Sequence, residues 1–158
     1  MDLILWRHAE AEELTGHEAG NSASDLARRL TARGERRAAR MAEWLNRQLP
    51  GSTRVLSSPA RRCEQTALAL GQKFKINADL APGATPAQLL ALVQWPASKA
   101  PMLVVGHQPT LGQTIAELLN LQESDCAIKK GAVWWLRSRE KDGQVQAIVV
   151  TVQSPEFL

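Results

Sequence analysis

Two short apolar runs end on a histidine. Leu3-Ile4-Leu5-Trp6 leads into Arg7-His8, and Met102-Leu103-Val104-Val105 leads into Gly106-His107. A third run, Arg54-Val55-Leu56-Ser57, leads through Ser58-Pro59 to Arg61-Arg62. Runs this short and continuous fit strands buried on both faces. In open α/β sheets ligands bind beyond the carboxyl ends of the strands. Two histidines and at least two arginines are therefore expected to converge on one pocket. Such a group suits an anion with several oxygens, and phosphate fits best. Arg7 and an arginine of the Arg61-Arg62 pair would make charge-assisted, bidentate bonds to a phosphoryl group. His107 would donate to its oxygens as charge spreads in the transition state. His8, with one ring nitrogen fixed as N–H by a backbone carbonyl, would attack phosphorus in line with the other. Neighbouring arginines would hold it neutral near pH 7. Arginine then does the charge neutralisation, so no metal and no cofactor is called for.

The elements that must position these residues follow from periodicity and punctuation. Residues 9 to 30 lack a period and read as a long loop, a kind of segment that is often functional. Thr31 caps a helix to about Leu49 with Ala38, Met41, Ala42, Leu45 and Leu49 on one face, and Pro50-Gly51 stops it. A second helix is expected from Pro59 to about Lys73, with Pro59 in its first turn and Ser58 as a cap. Thr85-Pro86 opens another that ends near Trp95-Pro96, and one more follows Gly106-His107-Gln108-Pro109 to about Leu121. Ala132 to Leu136 and Val145 to Val152 are β-rich and flank Lys141-Asp142-Gly143, a hairpin signal. Trp134 and Trp135 alternate faces of the first of these strands. Alternating strands and helices imply an α/β fold, a three-layer αβα sandwich. Its sheet would be mostly parallel, with an antiparallel C-terminal hairpin. At 158 residues, with no linker, repeat or low-complexity stretch, residues 1–158 form one expected domain.

Composition narrows the function. Hydrophobic residues make up 44% and charged residues 22%, ordinary for a globular fold, and no apolar stretch is long enough to span a bilayer. The run Leu3–Trp6 is too short for a signal peptide, and Cys63 and Cys126 have no CxxC spacing, so a cytoplasmic protein with reduced thiols is expected. The net charge of +3 is N-terminal. Residues 1 to 62 hold eleven Arg and no Lys against eight Asp or Glu, while residues 63 to 158 balance at eight against eight. Most of that excess, Arg33, Arg36, Arg37, Arg40 and Arg47, reads as solvation of a helix face. Basic stretches without interleaved aromatics argue against nucleic acid as a partner.

Arg7-His8-Ala9, the stretch from Ser58 to Thr66 and Gly106-His107-Gln108-Pro109 resemble, in order and spacing, the three motifs of the histidine phosphatase superfamily, which includes the phosphoglycerate mutases. The segments from Asp25 to Thr31 and Leu80 to Ala84 resemble its SixA branch, bacterial protein phosphohistidine phosphatases. The resemblance implies that His8 accepts the phosphate and that Arg7, Arg62 and His107 line the phosphate pocket; it selects Arg62 over Arg61. Arg28 matches a further basic position, and Glu10 is a weaker candidate for contact with substrate. Ala9 stands where the family more often has Gly. Relatives that cleave phosphate esters supply a carboxylic acid from an insertion after the second strand, and residues 74 to 85 are too short to hold one. An alkoxide needs that acid, whereas an imidazole, whose conjugate acid has a pKa of roughly 6.5, leaves more easily. A phosphohistidine on a signalling or phosphotransfer protein, such as a histidine phosphotransfer domain or a phosphocarrier protein, is the expected substrate, and the chain is expected to act as a monomer. The alternatives are a small-molecule phosphomonoesterase on the same fold and a non-catalytic phosphohistidine-binding module. A zinc deaminase reading of His8-Ala9-Glu10 lacks the Pro-Cys-x-x-Cys partner such enzymes need.

Overall fold

Leu3, Ile4, Leu5 and Trp6 have no side that faces water. In the computed structural model, which describes residues 1–158, all four are fully buried. Successive side chains of a strand point to opposite faces. Leu3 and Leu5 therefore enter one apolar cluster and Ile4 and Trp6 another, on the two sides of a single sheet. That sheet has six strands: β1 (Asp2–Arg7), β2 (Arg54–Ser57), β3 (Lys75–Ile76), β4 (Met102–Gly106), β5 (Val133–Lys141) and β6 (Gln144–Gln153). Their spatial order is β3-β2-β4-β1-β5-β6. The first four are parallel, β5 runs antiparallel to β1, and β6 closes a hairpin on β5.

Helices cover both faces. α2 (Ala32–Gln48) and α3 (Arg61–Leu68) bring Met41, Leu45, Cys63 and Ala67 against Ile4, Trp6, Leu103 and Val105. On the other side α4 (Pro86–Leu92) and α5 (Thr110–Leu118) bring Leu89, Leu111 and Ile115 against Leu3, Leu5 and Val104. This is the expected three-layer αβα sandwich with its antiparallel C-terminal hairpin. Thr31 caps α2 by accepting from the Gly34 N–H at 2.9 Å, and the helix buries Ala38, Met41, Ala42 and Leu45 as its period requires. Gly34 has a second role. A Cβ there would collide with the Glu10 carbonyl, so only glycine lets α2 rest on the chain just beyond β1.

Several boundaries depart from expectation. A five-residue helix, α1 (Ser22–Leu26), lies inside the stretch read as loop, capped by the Asn21 side chain. α3 starts two residues after Pro59 and ends at Leu68, because Gly71 at φ +67° turns the chain away. Ser58 does not cap it; the cap is Ala60, which offers no side chain. α4 stops at Leu92 rather than near Trp95, and α5 at Leu118 rather than Leu121. β3 has two exposed residues and no pattern to read. The hairpin is longer than its apolar core, because backbone pairing continues through the charged stretch Arg137 to Lys141 to a tight turn with Asp142 and Gly143 both at positive φ. Trp134 and Trp135 do pack on opposite faces.

Leu103, fully buried in the central strand β4, tests this arrangement. Leu103→Ala should lower unfolding free energy by about 2–5 kcal/mol in chemical denaturation, and a loss under about 1 kcal/mol would show that β4 does not carry the core.

Candidate active site

Because β2, β4 and β1 are adjacent and parallel, their carboxyl ends lie side by side. Arg7 is in register with Gly106, and Ser57 with Val105. The ladder continues one step past the strands, with the His8 N–H on the Gly106 carbonyl at 3.1 Å and the Ser58 N–H on the Val105 carbonyl at 3.0 Å. Residues a hundred positions apart in sequence thus become neighbours. The His8 and His107 rings stand 5.3 Å apart between centroids, tilted by 58°.

His8 is held by its own backbone. Its Nδ1 lies 2.8 Å from the Ala9 carbonyl oxygen. A carbonyl only accepts, so Nδ1 carries the proton and Nε2 keeps its lone pair. The loop that supplies this carbonyl is fixed on three sides. The Ala9 N–H donates to Thr66 Oγ1 at 3.1 Å, the Thr66 hydroxyl donates to the Arg62 carbonyl at 2.7 Å, and the Gly131 N–H donates to the His8 carbonyl at 3.0 Å. Burial holds the His8 pKa down to about 3. The Ala9 bond opposes that shift, while His107, Arg62 and Arg7 reinforce it.

His107 is neutral for similar reasons. Arg62 Nη2 lies 3.3 Å from Nδ1, and a guanidinium only donates, so Nδ1 accepts and Nε2–H donates to Ser58 Oγ at 2.7 Å. Burial, then Arg62, Arg28 and Arg7, push its pKa down to about 3. Ser58 accepts in addition from the Ala60 N–H at 3.2 Å, so it anchors an imidazole as well as a turn. The Cys63 thiol touches the same ring, and burial pushes it up to about 12, well outside the thiolate range.

The two guanidiniums are fixed from behind. Arg7 Nη1 donates to the Ile128 carbonyl at 2.6 Å. Arg62, 3% exposed, donates through Nη1 to the Asp25 carbonyl at 2.8 Å and through Nη2 to Asp25 Oδ2 at 3.2 Å. Both leave a buried Nε–H with no partner in the protein. A buried donor left unpaired costs roughly 1–3 kcal/mol, a cost that an acceptor supplied by a bound ligand would relieve. Arg61 points out and pairs with Glu64 at 3.6 Å.

The remaining candidates divide. Arg28 stays near the pocket, close enough to depress His107, with its Nε on Asp25 Oδ1 at 3.0 Å. Glu10 does not join the site. Its carboxylate accepts from the Thr31 hydroxyl at 2.8 Å and from Arg33 Nη2 at 2.5 Å, which holds its pKa down to about 2. It braces the start of α2 and has no proton to give. Asp25, Thr66 and the segment from Ile128 to Gly131 are supporting parts that the sequence alone does not single out. Asp25 and Thr66 lie within stretches that match family motifs, but only through-space contacts reveal their roles. No three His, Cys, Asp or Glu side chains gather into a cluster that could hold a metal ion.

Comparison with known proteins decides the family. Residues 3–85 match the model of the histidine phosphatase superfamily (branch 1). The chain belongs to this superfamily. It is 34% identical over 128 residues to the phosphohistidine phosphatase SixA of Escherichia coli strain K12, covering 75% of this chain and 74% of that one. It is 33% identical over 147 residues to an uncharacterized protein of a Picosynechococcus species, covering 87% and 86%. Among solved structures, that of a protein histidine phosphatase SixA complexed with tungstate superposes with a TM-score of 0.78 over 99% of both chains at 27% identity. The chain is thus a SixA-like member of the superfamily, a phosphatase.

The electrostatics predict a pH response. An unfolded histidine protonates near 6.5, whereas His8 and His107 stay neutral down to about 3. Between these values the unfolded chain binds more protons, so stability falls as pH drops through that window, by about 1.4 kcal/mol per pH unit for each group. Imidazole nitrogen NMR should show His8 as the Nδ1–H tautomer throughout pH 5–8; a titration near 6.5 would contradict this environment.

Proposed function

We propose that this phosphatase hydrolyses phosphohistidine carried on a protein, by way of a phosphorylated His8. The observation that carries the reading is a neutral His8 whose Nε2 lone pair is free, set among two guanidiniums with unpaired buried donors and with no free carboxylic acid nearby. A substrate imidazole protonated on its second nitrogen departs from phosphorus as neutral imidazole and needs no proton from the enzyme. Nε2 of His8 attacks phosphorus as that P–N bond breaks, and Nδ1 keeps its proton on the Ala9 carbonyl. Water then attacks phosphorus, the Nε2–P bond breaks, and His8 leaves as the same neutral tautomer while the proton of the attacking water departs on inorganic phosphate. Arg7 and Arg62 neutralise the equatorial oxygens at both steps. His107, whose Nε2–H is spent on Ser58 and whose Nδ1 accepts from Arg62, acts by orienting the Arg62 guanidinium.

Two properties of relatives support this. The Escherichia coli relative is named a phosphohistidine phosphatase, and the similar SixA structure is complexed with tungstate, a tetrahedral oxyanion. The physiological partner would be a histidine phosphotransfer domain or a phosphocarrier protein. No helix of the chain is long and apolar enough to cross a membrane.

Comparing kcat/KM on a phosphohistidine protein and on an alkyl ester such as phosphoserine tests the assignment. The phosphohistidine protein should be strongly preferred, and preference for the ester would overturn it. Arg62→Ala and His107→Ala should each lower the chemical step about 10²–10³-fold. Unchanged turnover would remove that residue from the reaction.

A further inference from the structure

The arginine excess of the N-terminal half does not spread evenly over the surface. On α2, Arg33, Arg37 and Arg40 stand at i, i+4 and i+7 and form one stripe. The loop before β5 adds Lys129 and Lys130 beside it. Two carboxylates reach this group: Glu10, bonded to Arg33 and in the field of Lys130, and Glu156, bonded to Lys129 and in the field of Arg37. Five cations against two anions leave an excess of three, equal to the whole chain's net charge of +3. Arg33, Arg40, Lys129 and Lys130 are exposed, 57% at Arg33 and 68% at Lys129, and Arg37 is half-buried. The adjacent loop sets Glu12, Glu13 and Glu18 against Arg28 and Arg29, so on this side of the pocket the excess lies with α2.

The strip is continuous with the pocket. The segment that carries Lys129 and Lys130 also supplies the Ile128 carbonyl to Arg7 and the Gly131 N–H to His8. At its other end Gly34 rests on the backbone of Glu10, two residues past His8. His8 is only 6% exposed. A phosphohistidine fixed to a protein reaches it only if that protein's surface comes down onto the rim. Rim charges that come within a Debye length of that surface, about 8 Å at physiological salt, act on it. Phe157, 78% exposed with the Lys129 ammonium 5.9 Å from its ring, adds an aromatic to the arginines, a pairing enriched at protein interfaces.

We propose that this strip docks an acidic surface of the protein that presents the phosphohistidine. The proposal rests on the reading of the substrate given above. Complementary charge of this kind raises the encounter rate and orients the partner without touching the chemistry.

The test uses the full chain, a phosphorylated histidine phosphotransfer domain of net negative charge, and phosphoramidate as a small P–N substrate. The double variant Arg37→Glu, Arg40→Glu should lower kcat/KM at least tenfold on the protein and stay within twofold on phosphoramidate. For the unmodified enzyme, kcat/KM on the protein alone should fall steeply as sodium chloride rises, a readout that needs no variant to fold. Equal losses on both substrates, or indifference of the protein reaction to charge reversal and salt, would overturn the docking surface. So would inhibition by a single-stranded RNA oligonucleotide at concentrations below the KM for the protein, which would make the strip a nucleic-acid site. An enzyme that hydrolyses phosphoramidate but no phosphohistidine protein would instead sink the proposed function.

Discussion

The hydrogen bond from His8 Nδ1 to the Ala9 carbonyl, 2.8 Å long, settles which nitrogen of the ring is available, and much of the molecule serves to hold its two ends. An imidazole free to exchange tautomers would present a lone pair at Nε2 only part of the time. Here the carbonyl permits one neutral form. Its position depends on Thr66, which ties the Ala9 N–H to the Arg62 carbonyl, and so links the strand bearing one guanidinium to the helix bearing the other. Gly131 closes the remaining side. The tautomer is therefore a property of the packed fold, not of the histidine alone.

Around that bond the site keeps an uneven charge. Arg7 and Arg62 stand near enough that, after burial, Arg62 is what most depresses Arg7. The compensation is partial: Asp25 partners Arg62 through both its carboxylate and its carbonyl, while Arg7 has only the Ile128 carbonyl. The two imidazoles between them stay neutral and add no further positive charge. A phosphoryl group brings the charge that this arrangement lacks. Sites of this sort hold unfavourable electrostatics in the free protein that a bound anion relieves, and under the proposed function a phosphoryl group would be that anion.

Much of this was legible in the sequence because the strands that form the site are buried on both faces. Such strands read as unbroken apolar runs, so β1, β2 and β4, and the residues just past them, could be placed from type alone. The long period of α2 was equally clear. What escaped was local structure made by distant partners. α1 has five residues in a Ser-rich stretch, and its Asp25 is tied to Arg62, 37 positions away. β3 is two residues of backbone pairing. Spacing could not separate Arg61 from Arg62, since adjacent residues on a helix differ by direction and only packing shows which direction is inward. Ser58 looked like a cap because its real partner, the His107 ring, lies on another strand. Glu10 looked like a candidate for substrate contact because Arg33, which binds it, is on a helix whose docking depends on Gly34.

The central claim is that Nε2 of His8 becomes bonded to phosphorus. Rapid quenching under single turnover, followed by mass spectrometry and phosphorus NMR of the trapped protein, tests it directly. An acid-labile, base-stable phosphoryl group on Nε2 of His8, absent from His8→Ala, is the predicted result. Full turnover by His8→Ala, or a phosphoryl group trapped on Nδ1 or on another residue, would contradict it.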